Sequence, residues 1–354
     1  MSDDNPGPAG VKQQVLDRIG DSGPMPFDEF MRLALYGPGG FFAGETLRSV
    51  KAGDFLTSPE VSPLFGATLA SFAASERDRI GEPFRVVDVG AGSGSLLSSL
   101  LSEEAIEAWA VEVSPPARAQ LETLLPADRV VGDPEDGVGR GVVIANELID
   151  NLPMAVAVRR GSGWAELMVV ATAGQLEMTE MEPRQEVADW AERFSGPVDE
   201  GGLVEVQLEA ADWLGGVLEL MGEGALVVID YGATADELAS RRVTGTLRTY
   251  RAHHLGPEPL AEPGLTDITA DVNFTALMET AAAAGPSVDL HRQDDFLVSW
   301  GLRDAISRLR EEELRLARSG DELARLQTRS HLTGAEALLN PRGLGDFRVL
   351  VARL

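Results

Sequence analysis

The chain has 354 residues, 44% of them hydrophobic, enough to bury a sizeable core in one large or two ordinary domains. Its 30 basic residues face 57 acidic ones, and the net charge of −27 opposes binding to nucleic-acid phosphates or anionic lipid. The same charge favours a basic protein partner, or serves solubility alone. The absence of cysteine removes disulfides, thiolate catalysis and cysteine-ligated metal, and of four histidines only His253 and His254 are adjacent, so no metal site is expected. No apolar run approaches the roughly eighteen residues of a membrane span. The start, Met1-Ser2-Asp3-Asp4-Asn5-Pro6-Gly7-Pro8, lacks the basic and apolar regions of a secretory signal and the arginines of a transit peptide, so the expected location is the cytoplasm.

In chain order, residues 11–19 and 27–35 read as two short helices, the second with Asp28 and Glu29 in its first turn, where the helix dipole favours negative charge. Tyr36-Gly37-Pro38-Gly39-Gly40-Phe41-Phe42 is a breaker flanked by aromatics. The segment Gly53–Ser62 is too polar for a core strand and too distinctive for a linker, and reads equally as a lid or a packing loop. A helix over about 62–77 can start at Ser62 or Pro63.

From Arg85 apolar strands and helices alternate. Strands are expected at 85–89, 107–112, 129–132, 141–145, 225–230, 287–292 and 346–353, and helices at 95–103, 115–124, 205–221 and 273–284. This gives five β–α steps and a closing hairpin: an α/β Rossmann-like fold with a seven-stranded, mostly parallel sheet. Residues 1–80 form an N-terminal helical extension and 81–354 the sheet domain. Insertions interrupt that domain at about 154–204, 231–272 and 293–345. Residues 154–180 suggest a small antiparallel meander, 231–272 look irregular, and 301–328 read as a charged amphipathic helix, solvated by default or else binding a partner.

The central motif is Val86-Val87-Asp88-Val89-Gly90-Ala91-Gly92-Ser93-Gly94-Ser95-Leu96, a strand running into a glycine turn and then a helix. Gly90, Gly92 and Gly94 let the backbone turn tightly and approach a ligand, toward which the free N–H groups of the helix start point. A dinucleotide fingerprint needs a third glycine where Ser95 stands. Asp88 at the strand end disfavours a pyrophosphate but suits a cationic ligand, and S-adenosylmethionine (SAM), with its sulfonium and α-amino group, is such a ligand.

Ligands of a doubly wound sheet lie beyond the carboxyl ends of its strands. Glu112 ends the second strand about 20 residues after Gly90, the spacing of a carboxylate that binds ribose hydroxyls. Asp133 follows the third strand and reads either as an adenosine contact or as a turn aspartate. Asn146-Glu147-Leu148-Ile149-Asp150-Asn151-Leu152-Pro153 follows the fourth. Methyl transfer needs mainly a positioned nucleophile. For a guanidinium, whose lone pair is delocalised, Glu147 and Asp150 can localise charge and draw proton density away, with Asn146 orienting them. Asp150 also reads as a helix N-cap and Asn146 as an ordinary turn residue.

Taken together, Gly53–Ser62, the glycine loop, Val111-Glu112-Val113-Ser114-Pro115, Asn146–Pro153, Ile229-Asp230-Tyr231-Gly232 and Asp267-Ile268-Thr269-Ala270-Asp271-Val272-Asn273-Phe274 resemble the MidA-like SAM-dependent methyltransferases. The resemblance runs from about Phe27 to the final strand, and the family includes the mitochondrial arginine methyltransferase that assists assembly of respiratory complex I. It implies a protein substrate and symmetric dimethylation of an arginine. It also implies that Asp88, Gly90, Gly92, Gly94, Glu112 and Asp133 hold SAM, and that Asp54, Thr57, Pro59 and Glu60 lie over its methionine end or the mouth of the substrate site. Asn146, Glu147 and Asp150 would then face the acceptor, with Asp230 and Tyr231 at the next strand end. Departures are Asp271, where the family has histidine, and Asn273, where it has an acid, both altering charge near the acceptor face; Asp88 replaces a frequent Glu. Two other readings share the same cofactor loop: an O- or N-methyltransferase of a small molecule, and a weakly catalytic SAM-binding assembly factor. A homo-oligomer is compatible with all three.

Overall fold

The computed structural model describes residues 7–44, 57–103, 106–251 and 254–354. The seven strands of its central sheet, numbered here in chain order, are β1 (Arg85–Val89), β2 (Ala108–Val111), β3 (Val130–Val131), β4 (Gly141–Asn146), β5 (Gly224–Asp230), β6 (Ser287–Arg292) and β7 (Arg348–Arg353). They lie in the order β6-β7-β5-β4-β1-β2-β3, with β7 antiparallel to both neighbours and every other pair parallel. β1, β4 and β5 are nearly continuous apolar runs because helices cover both of their faces.

One face packs Val86, Val142, Ile144, Val227 and Val351 against Phe65, Leu69 and Phe72 of the helix Leu64–Ile80 and Leu100 of the helix Ser95–Glu103. The other packs Val87, Val143, Leu226, Val228 and Leu350 against Leu214 of Leu208–Leu220 and Leu277 of Phe274–Ala283. Leu64–Ile80 thus covers the sheet directly, with Pro63 at its N-cap and Gly81, φ +75°, ending it. Strand order reverses between β4 and β1, so their carboxyl ends open a crevice, and Asp88 sits level with Ile144 while Asn146 sits level with Ile229.

The meander expected at 154–180 consists of Ala155–Arg160, Gly163–Thr172 and Gln175–Met181. It belongs to a second sheet of five strands, completed by Met25–Pro26 and Leu203–Val206. The helix Phe27–Tyr36 packs on this sheet through Phe27, Phe30 and Met31, with the helix Gly7–Ser22 beside it. Leu203–Val206 corrects the helix expected from 205, which begins only at Leu208. Val204 and Val206 are buried, and so is Glu205, which pairs with Arg242 at 3.0 Å; the pairing hides strand alternation behind a charge.

The stretch 231–272 is also more ordered than expected. It holds the helix Ala235–Ala239, a parallel pair of Gly232–Ala233 with Val272–Asn273, and a small sheet of Arg248–Arg251, His254–Leu255 and Asp267–Thr269. Its order rests on buried polar contacts that carry no hydrophobic period. The expected charged helix at 301–328 is two helices, Leu302–Ser319 and Glu322–Ala337, broken at Gly320 with φ +78°. β3 and β7 are shorter than expected because 3-10 turns, Ala127–Arg129 and Leu344–Asp346, take their first residues. Among the described residues no helix is long and apolar enough to cross a membrane, and no group of side chains could hold a metal ion.

Candidate active site

The glycine turn leaves β1 with φ +72° at Gly90, +51° at Gly92 and +78° at Gly94, a region that side-chain-bearing residues avoid. A Cβ on Gly90 would lie 3.0 Å from Cδ1 of Leu148, so the loop after β4 leans directly on the turn. From the end of β2, Glu112 reaches back. Its carboxylate accepts the Gly92 N–H and the Ser114 N–H, each at 2.8 Å, and burial raises its pKa.

Asp88 is 2% exposed, and its Oδ2 has no hydrogen-bond partner. Burial, with Glu112 nearby, pushes its pKa up to about 8. An unpaired buried carboxylate oxygen is costly, and a cationic ligand group would relieve that cost. Asp88, Gly92 and Glu112 therefore fit SAM. Asp133 is exposed, and its Oδ1 accepts the Glu135 N–H at 2.9 Å to cap the short helix Pro134–Gly137.

Asp54 lies outside the described residues. Thr57, Pro59 and Glu60 form the start of the short helix Ser58–Val61, where Glu60 accepts the Thr57 N–H at 3.2 Å. What this segment delivers to the site is the residue between them. The Ser58 N–H donates to Oε1 of Glu147 at 3.2 Å, and the Gln293 amide donates to Ser58 Oγ at 3.3 Å.

After β4 the chain makes a strained turn. Glu147 has φ +51°, a conformation that costs a glutamate about 1–3 kcal/mol and that clusters at functional sites. The Asn146 amide donates to Glu147 Oε1 at 3.4 Å. Burial, and then the Asp150 charge, push the Glu147 pKa up to about 8. Asp150 is 4% exposed; its Oδ2 accepts the Thr269 hydroxyl at 2.6 Å and the Tyr231 hydroxyl, while its Oδ1 and the Asn146 Oδ1 have no partner. Its pKa is raised by burial, against the pull of those hydroxyls and of Arg248.

Asp230 ends β5, at the strand end where the resemblance places it. Fully buried, it accepts the N–H groups of Ile149 at 3.0 Å, Asp150 at 3.2 Å and Tyr231 at 2.9 Å, and so holds the turn after β4.

Glu147 and Asp150 line a cavity of about 400 Å³ together with Tyr231, Arg241, Arg248 and Asp271. Arg241 and Arg248 went unnoticed in the sequence, where they are scattered arginines in a stretch read as irregular. Both pair with Asp271, Arg248 at 2.6 Å. Asp271 thus stands at the cavity wall as an ion-paired carboxylate. Asn273 does not line the cavity: its buried side chain donates to Phe194 O at 2.8 Å and caps the helix Phe274–Ala283.

The structure accordingly gathers Asp88, Gly90, Gly92 and Glu112 at the ends of β1 and β2, next to Asn146, Glu147, Asp150 and Tyr231 at the ends of β4 and β5. The S-adenosyl-L-methionine-dependent methyltransferase family model matches residues 68–291. The chain belongs to that family.

Among its relatives, the mitochondrial protein arginine methyltransferase NDUFAF7 homolog of Drosophila melanogaster is 27% identical, over 79% of this chain and 71% of that one. The human protein arginine methyltransferase NDUFAF7, also mitochondrial, is 28% identical, over 94% of this chain and 81% of that one. A superfamily member from Burkholderia thailandensis, crystallised with S-adenosyl-homocysteine, superposes with a TM-score of 0.86 at 29% identity, covering 98% of this chain and 92% of that one. This methyltransferase therefore has the α/β fold and the SAM dependence that the glycine turn implied.

Proposed function

We propose that this methyltransferase acts on an arginine guanidinium of a protein and yields symmetric dimethylarginine. The observation that carries the reading is the placing of two carboxylates, the half-buried Glu147 and the buried Asp150, in one cavity beside the aromatic Tyr231. When bound, SAM supplies an electrophilic methyl group. The chain supplies the rest.

Asp150 Oδ1 and Asn146 Oδ1 are open acceptors that suit the fan of N–H donors on a guanidinium. Ser58 and Asn146 hold Glu147 in place, and its carboxylate takes the proton released as the nitrogen is methylated. A pKa near 8 places that proton within reach at neutral pH, and an arriving cation favours the ionised form. The names of the relatives, protein arginine methyltransferases, support the same substrate, as does a net charge of −27 that attracts a basic segment.

Incubating the purified protein with labelled SAM and a cell extract, followed by mass spectrometry, tests the reading. Dimethylarginine in a protein is the expected product. Label confined to small molecules would replace the reading with a metabolite methyltransferase, and SAM binding without turnover would replace it with an assembly factor.

A further inference from the structure

The acceptor cavity already contains a guanidinium belonging to the chain itself. Arg248 opens the strand Arg248–Arg251 and is paired in register with Thr269, the residue whose hydroxyl bonds Asp150. Its Cζ lies 5.1 Å from the centre of the Tyr231 ring, and the hydroxyl of that same ring also bonds Asp150. Its Nη2 donates to Asp271 Oδ1 at 2.6 Å, while its Nε is buried without an acceptor. An aromatic face with carboxylates at its edge is the chemistry that recognises a guanidinium, and here Arg248 takes the aromatic face.

Asp271 is bound from both sides. Arg241 holds its Oδ2 and Arg248 its Oδ1. One carboxylate needs one cation, so Arg241 keeps Asp271 neutralised if Arg248 leaves. The Arg248 side chain is 34% exposed, which gives it a path toward water. The second arginine is thus surplus to the ion pair but well placed over Tyr231.

We infer that Arg248 is a specificity-determining residue that occupies the guanidinium position of the acceptor cavity and must be displaced from the face of Tyr231 by a substrate arginine. This rests on the reading of the cavity as a guanidinium site. Only an acceptor that binds the Tyr231 face and the Glu147–Asp150 pair better than Arg248 does can enter. A small neutral nucleophile has nothing with which to displace it. Arg248 is not a catalytic residue in this account; it sets the affinity of the acceptor and leaves the transfer step to Glu147 and Asp150.

The experiment measures calorimetric binding of agmatine, an alkylguanidinium, to the full chain. Arg248→Ala is expected to bind agmatine about tenfold more tightly than the unaltered protein, a change within the range of one stacked, ion-paired contact. Equal or weaker binding overturns the inference. Should Arg248→Ala fail to fold, Arg248→Thr suits the strand and also leaves the Tyr231 face uncovered, and is expected to show the same gain.

In the extract assay the half-saturating amount of extract protein is expected to fall severalfold for the variant, with the rate at saturation unchanged. A lower saturating rate would instead assign Arg248 to the chemistry and overturn the inference. Tighter agmatine binding without any methylarginine product would uphold the role of Arg248 and count against the arginine acceptor. Methylarginine product with unchanged agmatine binding would do the reverse.

Discussion

The Ser58 N–H donates to Oε1 of Glu147 at 3.2 Å, joining the short helix ahead of the sheet domain to the strained turn after β4. With the Asn146 amide on the same oxygen, it fixes one face of the carboxylate. The other oxygen is left for the cavity that Glu147 shares with Asp150.

Replacing that carboxylate by an amide keeps the shape and removes the proton acceptor. Glu147→Gln is expected to lower kcat about 100–1000-fold, the usual contribution of a positioned general base, with SAM affinity retained by calorimetry. The pKa near 8 implies that kcat/KM rises with pH toward about 8 and then levels, and that the variant lacks this limb. Stability carries the opposite sign. A folded-state pKa above the unfolded value of 4.5 means that stability present below 4.5 is lost as pH rises to about 8. Thermal melts between those values should show the wild type losing ground to Glu147→Gln as pH rises; a constant difference would count against a buried carboxyl with a raised pKa.

Cofactor affinity is expected to depend on Glu112 and Asp88 in different ways. Glu112→Ala removes two bonds from a charged acceptor, and S-adenosyl-homocysteine binding should weaken about 10–100-fold if each is worth about 1.5 kcal/mol and part of the loss is recovered by water. Asp88 ionises near pH 8 in the free protein, so binding of the cationic ligand should tighten as pH rises from about 6 to about 8. In Asp88→Asn that dependence should flatten. Calorimetry across that range decides both points.

The start of β5 sets a packing test free of catalysis. Gly224 has φ +143°, and a Cβ there would lie 1.7 Å from the carbonyl oxygen of Gly141 at the start of β4. Neither backbone can yield without breaking the parallel pair that carries Asn146 and Asp230. Gly224→Ala is expected to cost roughly 3 kcal/mol or more in denaturant unfolding. Gly222→Ala, where no atom lies within 4 Å of the added carbon, should cost under about 1 kcal/mol.

Much of this was legible in the residues. β1, β4 and β5 announced themselves as apolar runs because a sheet covered on both faces needs them, and Gly90, Gly92 and Gly94 announced the turn because other residues resist its positive φ. Glu112 was legible from its spacing. The strand Leu203–Val206 was not, since Glu205 is buried by an ion pair with Arg242, a residue distant in sequence. The order within 231–272 was hidden for the same reason: the ties of Arg241 and Arg248 to Asp271 have no periodic signature.

Local chemistry thus determined the doubly wound sheet, the glycine turn and the cationic character of its ligand, because periodicity, φ preference and charge are properties of short stretches. Tertiary structure decided which acids do what. Asp230, Asp150 and Glu147 are equivalent carboxylates in the sequence, yet Asp230 is consumed by three backbone N–H groups, Asp150 keeps one oxygen open, and Glu147 is strained and bonded to Ser58. Only the folding of distant segments onto β4 and β5 fixes how many donors each oxygen meets and how much water is removed from it. The same folding brings Arg248 over Tyr231, a contact that neither stretch encodes alone.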